Sequence, residues 1–183
     1  MRIIRGSLKG MRFKKLKSFS SRPTTDYAKE GLFNILENTL DLEELEVLDL
    51  FSGLGSISFE FISRGVPKLT SVDNNFQSCK YIRHSSKEHD LSDSHTIVQM
   101  DALKYIQKVK GDFNFIFADP PYDFGQYDQL IDLIKTHDIL RPDGTLVIEH
   151  GKKTSLTSIQ GFQKTKPFGH VYFSFFNFDF KDD

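Results

Sequence analysis

The stretch Val47-Leu48-Asp49-Leu50-Phe51-Ser52-Gly53-Leu54-Gly55 decides how this chain is read. A short apolar run, Val47–Phe51, carries an acid near its end and gives way to a loop with two glycines. Glycines at that place let the backbone turn tightly and approach a ligand at the N-terminus of the next helix. Working outward, strand-like runs recur at Leu69–Val72, Thr96–Met100, Phe113–Ala118 and Thr145–Glu149. Helical stretches fall between them, near 56–64, 75–89, 102–109 and 126–138. Strands alternating with helices specify an α/β fold with a mostly parallel sheet and helices on both faces. The pattern changes after residue 160. Gly161–Pro167 and Val171–Phe180 are strand-like runs split by Phe168-Gly169-His170, which predicts an antiparallel hairpin. Upstream, Ala28, Leu32, Ile35, Leu36 and Leu40 form an amphipathic stripe, with Thr25 or Asp26 as its cap.

The acids at the strand ends carry the chemistry. Asp73 lies 20 residues after Gly53, where an acid can hold the two hydroxyls of a ribose. A third fingerprint glycine is missing, with Ser58 in its place. That disfavours a pyrophosphate and favours an adenosine with a cationic side arm, in a site rich in acids (Asp49, Asp73). Asp101 can accept from an adenine amino group; it can equally cap the following helix. The sharpest signal is Asp119-Pro120-Pro121-Tyr122, directly after an apolar strand. In open α/β sheets, ligands bind beyond the carboxyl ends of the strands. The prolines fix the backbone and present carbonyls without local N–H partners. Asp119 and the Pro120 carbonyl can then hold the two N–H groups of an exocyclic nucleobase amine, and Tyr122 can stack on an extruded base. A tight proline turn that merely closes a strand is the plain alternative.

These residues resemble the motifs of class I methyltransferases that act on exocyclic amines and use S-adenosylmethionine. More narrowly, the chain resembles the RsmD family. The residues that say so are Arg2-Ile3-Ile4-Arg5-Gly6, Arg22-Pro23-Thr24-Thr25-Asp26, Glu30-x-Leu32-Phe33-Asn34, Asp49–Gly55, Asp119–Tyr122 and Phe168-Gly169-His170-Val171. The resemblance implies the Rossmann-like methyltransferase fold and methylation of a guanine N2 in bacterial 16S rRNA. It implies a cofactor site of Asp49, Phe51, Ser52, Gly53, Gly55, Asp73, Asn74, Asp101, Ala102 and Asp119, and catalysis at Asp119, Pro120, Pro121 and Tyr122. Asp49 is expected to orient the glycine loop or the methionine amine. Asp119, taken at the ordinary carboxylate pKa near ~4, is expected to orient the amine rather than abstract a proton first. The sequence departs from the family's habit at Asp73 (usually Glu), Leu54 (commonly Ser) and Asp101 (commonly Asn).

Composition and charge agree with this reading. The 183 residues are 38% hydrophobic and 27% charged, which excludes a disordered chain. No apolar run approaches the ~20 residues of a membrane span, no signal peptide is evident, and one cysteine, Cys79, makes no internal disulfide. The expected location is the cytoplasm, and the expected state a monomer. Cys79 is expected to be a buried small hydrophobe, and the scattered histidines suggest neither metal nor triad. The net charge of −1 hides a segregation: residues 1–22 carry eight basic residues and no acid. A basic arm of this kind suits a polyanion. Arg2, Arg5, Lys9, Arg12, Arg22, Thr24 and Thr25 are the expected RNA contacts, the RNA being 16S rRNA in a small ribosomal subunit or assembly intermediate. An arm plus helix (residues 1–45) then precedes the methyltransferase domain (46–183) in one compact unit. The rival readings are a DNA adenine-N6 methyltransferase, a catalytically silent RNA-binding assembly factor and, more remotely, a glutamine- or protein-amine methyltransferase.

Overall fold

A computed structural model describes residues 2–12 and 24–178. Seven strands form one sheet: β1 (Glu46–Leu50), β2 (Lys68–Asp73), β3 (His95–Gln99), β4 (Phe113–Ala118), β5 (Leu140–Gly151), β6 (Phe162–Phe168) and β7 (Val171–Phe176). Their order is β3-β2-β1-β4-β5-β7-β6. The first five run parallel, and β7 enters antiparallel between β5 and β6. The helices are α1 (Asp26–Glu37), α2 (Ser56–Ser63), α3 (Phe76–Glu88), α4 (Ala102–Ile106) and α5 (Tyr127–Thr136). The class I methyltransferase architecture, with its antiparallel C-terminal hairpin, is present. Strand order reverses beside β1, so the ligand crevice opens above β1 and β4.

Period-two alternation divides the core. Val47, Phe115, Phe117, Val147, Phe173 and Phe175 face α1 and α2, against Ala28, Leu32, Phe33, Leu36 and Phe61. Leu48, Leu50, Ile116, Ala118, Leu146 and Ile148 face the other way, against Ile106, Leu130, Ile131 and Ile134. Asp49, Asp119 and Glu149 continue the α1/α2 parity along three adjacent strands. The register Leu50↔Ala118↔Ile148 brings their strand ends level. One alternation rule therefore gathers three carboxylates on one face.

Thr25 caps α1, its hydroxyl accepting the Ala28 N–H at 3.1 Å. Two elements differ from expectation. Strand β5 begins at Leu140 rather than Thr145: Phe113 pairs with Leu140 and Phe115 with Thr145, so residues 141–144, including Pro142, bulge out of register. Helix α4 stops at Ile106 rather than near 109.

The N-terminal residues form a clasp. Arg2 and Arg12 make one antiparallel bridge, and Ile3 is buried against Phe59 and Ile82. Glu60, fully buried on α2, accepts the N–H groups of Ile4 (2.9 Å) and Arg5 (3.1 Å). It also pairs with Arg64 (2.8 Å) and the buried Lys29 (3.4 Å). The Ser63 hydroxyl donates to the Arg5 carbonyl at 2.5 Å and accepts the Leu8 N–H at 2.9 Å.

Candidate active site

The loop after β1 is built by left-handed backbone. Gly53 has φ +54 and Gly55 φ +77, and Phe51, which is not glycine, has φ +61. The Ser52 N–H donates to the Val72 carbonyl at 3.0 Å, and Gly55 N–H closes back on Ser52 at 2.8 Å. A side chain at Gly53 would meet nothing within 4 Å, so the loop's outer face is open to a ligand. The Asp73 carboxylate pins the loop: Oδ2 accepts the Gly53 N–H and Oδ1 the Asn75 N–H, both at 2.8 Å. A carboxylate has about four acceptor positions, so room remains for ribose hydroxyls. Asn74, beside it, is exposed. On β3's exit, Asp101 caps α4 by accepting the Lys104 N–H at 3.0 Å, with Ala102 buried behind it.

Asp49 sits beneath the loop rather than on it. Only 1% of it is exposed. Its carboxyl accepts the Ser58 hydroxyl, and the Ser58 N–H faces it too. Gly55 offers no side chain to cap α2, so the Asp49 carboxyl, reaching from β1, accepts a free N–H of its first turn instead. Burial pushes its pKa up to about 7. From Ser58 a buried polar chain continues to Ser71 (2.7 Å), His95 Nε2 (2.7 Å) and, from His95 Nδ1, Ser86 (2.8 Å). Burial lowers His95 to about 4, which keeps it neutral. No sequence signal distinguished His95 from the other histidines.

Asp119 ends β4, with its N–H reaching the Leu50 carbonyl at 3.3 Å. Burial, then Glu149 and Asp49, push its carboxyl well above the usual range. This corrects the expectation of an ordinary pKa: stacking three acids on one face makes Asp119 a better proton acceptor than an exposed aspartate. Glu149, raised to about 7 by burial, accepts the Thr24 hydroxyl at 2.9 Å. Sequence reading had no role for Glu149, although an acid ending a fifth apolar strand was the available signal. The Pro121 carbonyl accepts the Phe124 N–H at 2.9 Å, which corrects the expectation of two open carbonyls. Among the described residues, nothing donates to the Pro120 carbonyl. Tyr122 is 79% exposed, its ring adjacent to Gly151: a Cβ there would lie 3.7 Å away. Phe51, Phe124 and Tyr127 pack edge to face in a row, at 5.2 and 5.3 Å.

The expected RNA contacts separate. Thr24 and Thr25 stand at the mouth, through Glu149 and the α1 cap. Arg2 pairs with Asp26 at 3.2 Å, at the same end of α1. Arg5 pairs with Glu37 at 2.8 Å, at the opposite end of α1. The turn through Gly6 and Lys9 runs beside Ser63, away from the site; Arg12 returns to Arg2. Arg22 and Phe180 lie outside the described residues. Cys79 is buried, its thiol donating to the Asp73 carbonyl at 3.3 Å. Phe173, Phe175 and Phe176 of β7 are core residues. No described helix is long and apolar enough to cross a membrane. Among the described residues no group of His, Cys, Asp or Glu is arranged to hold a metal ion.

The sequence model of the family described as conserved hypothetical protein 95 matches residues 1–177. A Bacillus subtilis protein named "Putative rRNA methyltransferase YlbH" is 34% identical over 164 residues, covering 88% of both chains. The Haemophilus influenzae ribosomal RNA small subunit methyltransferase D is 29% identical, covering 85% of this chain and 81% of the relative. The crystal structure titled "putative methylase HI0767", from Haemophilus influenzae, superposes with a TM-score of 0.78 at 26% identity, over 96% of both chains.

Proposed function

This chain belongs to the conserved hypothetical protein 95 family, the RsmD family, and from that premise we propose that it methylates the exocyclic N2 of a guanine in 16S rRNA. The methyl donor is S-adenosylmethionine. The observation that carries the amine assignment is the end of β4. There a partly buried carboxyl (Asp119), a carbonyl with no donor among the described residues (Pro120) and an exposed aromatic ring (Tyr122) follow directly on the strand.

The residues present fit an adenosyl cofactor. The open left-handed loop at Gly53 leaves room for close approach, and Asp73 keeps unused acceptor positions at the end of β2. We assign Phe51, Ser52, Gly53 and Gly55 to the amino-acid part, Asp73 and Asn74 to the ribose, and Asp101 and Ala102 to the adenine. Asp49 and Asp119 form the acidic floor. When bound, S-adenosylmethionine would supply an electrophilic methyl group on a cationic sulfonium, whose charge would offset these carboxylates, and would depart as the neutral thioether once the methyl–sulfur bond breaks.

The protein's own contribution is positioning and charge. The lone pair of an exocyclic amine is delocalised into its ring. Asp119 and the Pro120 carbonyl accept its two N–H groups and favour the pyramidal geometry of attack. Tyr122 holds the extruded base face-on. The nitrogen becomes cationic and acidic as the new C–N bond forms, and Asp119, with its raised pKa, takes the released proton. Pro121 fixes the turn that holds these groups. Thr24 holds Glu149, and thereby the charge next to Asp119. Thr25, Arg2 and Arg12 border the mouth; with Arg5, Lys9 and Arg22 they complete the proposed RNA contacts. The substrate is the rRNA of a small subunit or assembly intermediate, met by a cytoplasmic monomer.

Labelled methyl transfer to undermodified small subunits, naked 16S rRNA and duplex DNA tests this. Label in N2-methylguanosine is the expected result. Label in N6-methyladenine from DNA would replace the substrate while keeping the Asp119–Tyr122 chemistry.

A further inference from the structure

The floor of the site is acidic, with Asp119 and Glu149 following the paired Ala118 and Ile148 and Asp49 one alternation lower, level with Phe117. A polyanion must nevertheless bring its backbone to that mouth. Of the arm's described basic residues, Arg2 is paired with Asp26 and Arg5 lies at the far end of α1.

The chain leaves β5 through Gly151-Lys152-Lys153-Thr154. The Thr154 N–H donates to the Gly151 carbonyl at 3.1 Å, closing a four-residue turn with both lysines at its centre. The turn is anchored on two sides. Gly151 lies against the Tyr122 ring, and Thr154 faces the Tyr127 hydroxyl of the Phe51–Phe124–Tyr127 set. Lys152 and Lys153 are exposed, and neither has an acidic partner among the described residues. They follow Glu149 by three and four positions, so they stand at the rim of the pocket whose floor that acid helps form.

We propose that the Lys152–Lys153 turn is a phosphate clamp for the nucleotides flanking the target base, placed by its packing on Tyr122 and Tyr127 so that backbone and base are gripped together. This rests on the RNA reading above. Phosphate contacts fix register and orientation without reading sequence, so the turn sets affinity and salt dependence, while the β4 end selects the amine. Both lysines are exposed, and among the described residues neither is bonded to a cofactor residue.

The test is binding of a labelled 16S rRNA fragment at several salt concentrations. It compares wild type, the Lys152→Ala/Lys153→Ala double variant and a Lys68→Ala control at the opposite end of the sheet, with S-adenosylmethionine affinity measured in parallel. Each lost phosphate contact lowers the slope of log affinity against log salt by about 1. The double variant should therefore lose about 2 from the slope and bind RNA more weakly at low salt. Its cofactor affinity and melting temperature should be unchanged, as should all properties of Lys68→Ala. Wild-type RNA binding with an unaltered slope in the double variant would overturn the clamp alone. No RNA binding by the wild type, with cofactor still bound, would overturn the RNA reading and the clamp with it.

Discussion

Replacing Glu60 by alanine should cost this protein about 3–5 kcal/mol, the usual cost of removing one partner of a buried ion pair. The Glu60 carboxylate is fully buried and accepts the Arg64 Nε–H at 3.0 Å, an Arg64 Nη2–H at 2.8 Å and the N–H groups of Ile4 and Arg5. It also faces the Lys29 ammonium at 3.4 Å, itself without exposed side-chain surface. The alanine variant strands that ammonium, leaving it the Arg2 carbonyl at 2.5 Å and the Ser56 hydroxyl at 3.5 Å. Hydrogen bonds to charged groups contribute about 1.5–3 kcal/mol each, but four donors on one carboxylate do not add, so the ion-pair figure governs. Urea denaturation of Glu60→Ala, Lys29→Met and the Lys29→Met/Glu60→Met pair measures it. The double variant should recover much of the loss, because apolar replacement of a whole buried pair is often neutral. Trypsin should cut at Arg5 and Lys9 faster in Glu60→Ala, because the clasp has lost its anchor. A loss below about 1 kcal/mol, or equal losses in the single and double variants, would refute the account of how the arm is held.

Asp49 makes stability fall with rising pH. Its folded pKa, about 7, lies above the unfolded value. Its contribution is therefore complete below about pH 4 and lost as pH rises through 7, on the order of 4 kcal/mol at most. Asp49→Asn should flatten the dependence of melting temperature on pH across that window and raise it at pH 8. His95 works in the opposite sense: its lowered pKa, about 4, gives a contribution present above pH 6.5 and lost as pH falls through 4. Gly31→Ala would place a Cβ 2.0 Å from Cε1 of Phe168, so denaturation should show a loss of about 1–3 kcal/mol, the usual cost of overpacking. Tyr122→Ala should leave stability unchanged, since the ring is exposed, and weaken catalytic efficiency on RNA by about 1–3 kcal/mol, the worth of one base stack.

The fold was legible because its signals are local and repeated. Val47–Phe51 and Phe113–Ala118 are apolar runs closed by an acid or glycine, and Thr25 announces α1 by a cap. The bulge at residues 141–144 was not legible: Pro142, Asp143 and Gly144 carry turn chemistry, and only the pairing of the flanking Leu140 and Thr145 with β4 makes the strand run through them. The strand-end acids could be found because a carboxylate after an apolar run is conspicuous. What each acid touches depends on register. Asp49 turns under the loop to α2, Asp73 takes over the loop, and Glu149 joins Asp119 through a parity that no single strand displays. The grip of Glu60 and Lys29 on the arm was hidden for the same reason, with partners more than twenty residues apart. Raised carboxylate pKa values arise from this gathering and cannot be read from one position.

The central claim is that Asp119 orients the amine and takes its proton. Single-turnover methyl transfer to 16S rRNA by wild type and Asp119→Asn, followed over pH with cofactor and RNA affinities measured separately, tests it most directly. The wild-type rate should rise with pH as Asp119 ionises through its raised pKa. The asparagine variant should bind both partners, lose on the order of 10²-fold or more in rate, and show no such rise. An asparagine variant with wild-type rate and the same pH profile would contradict the claim.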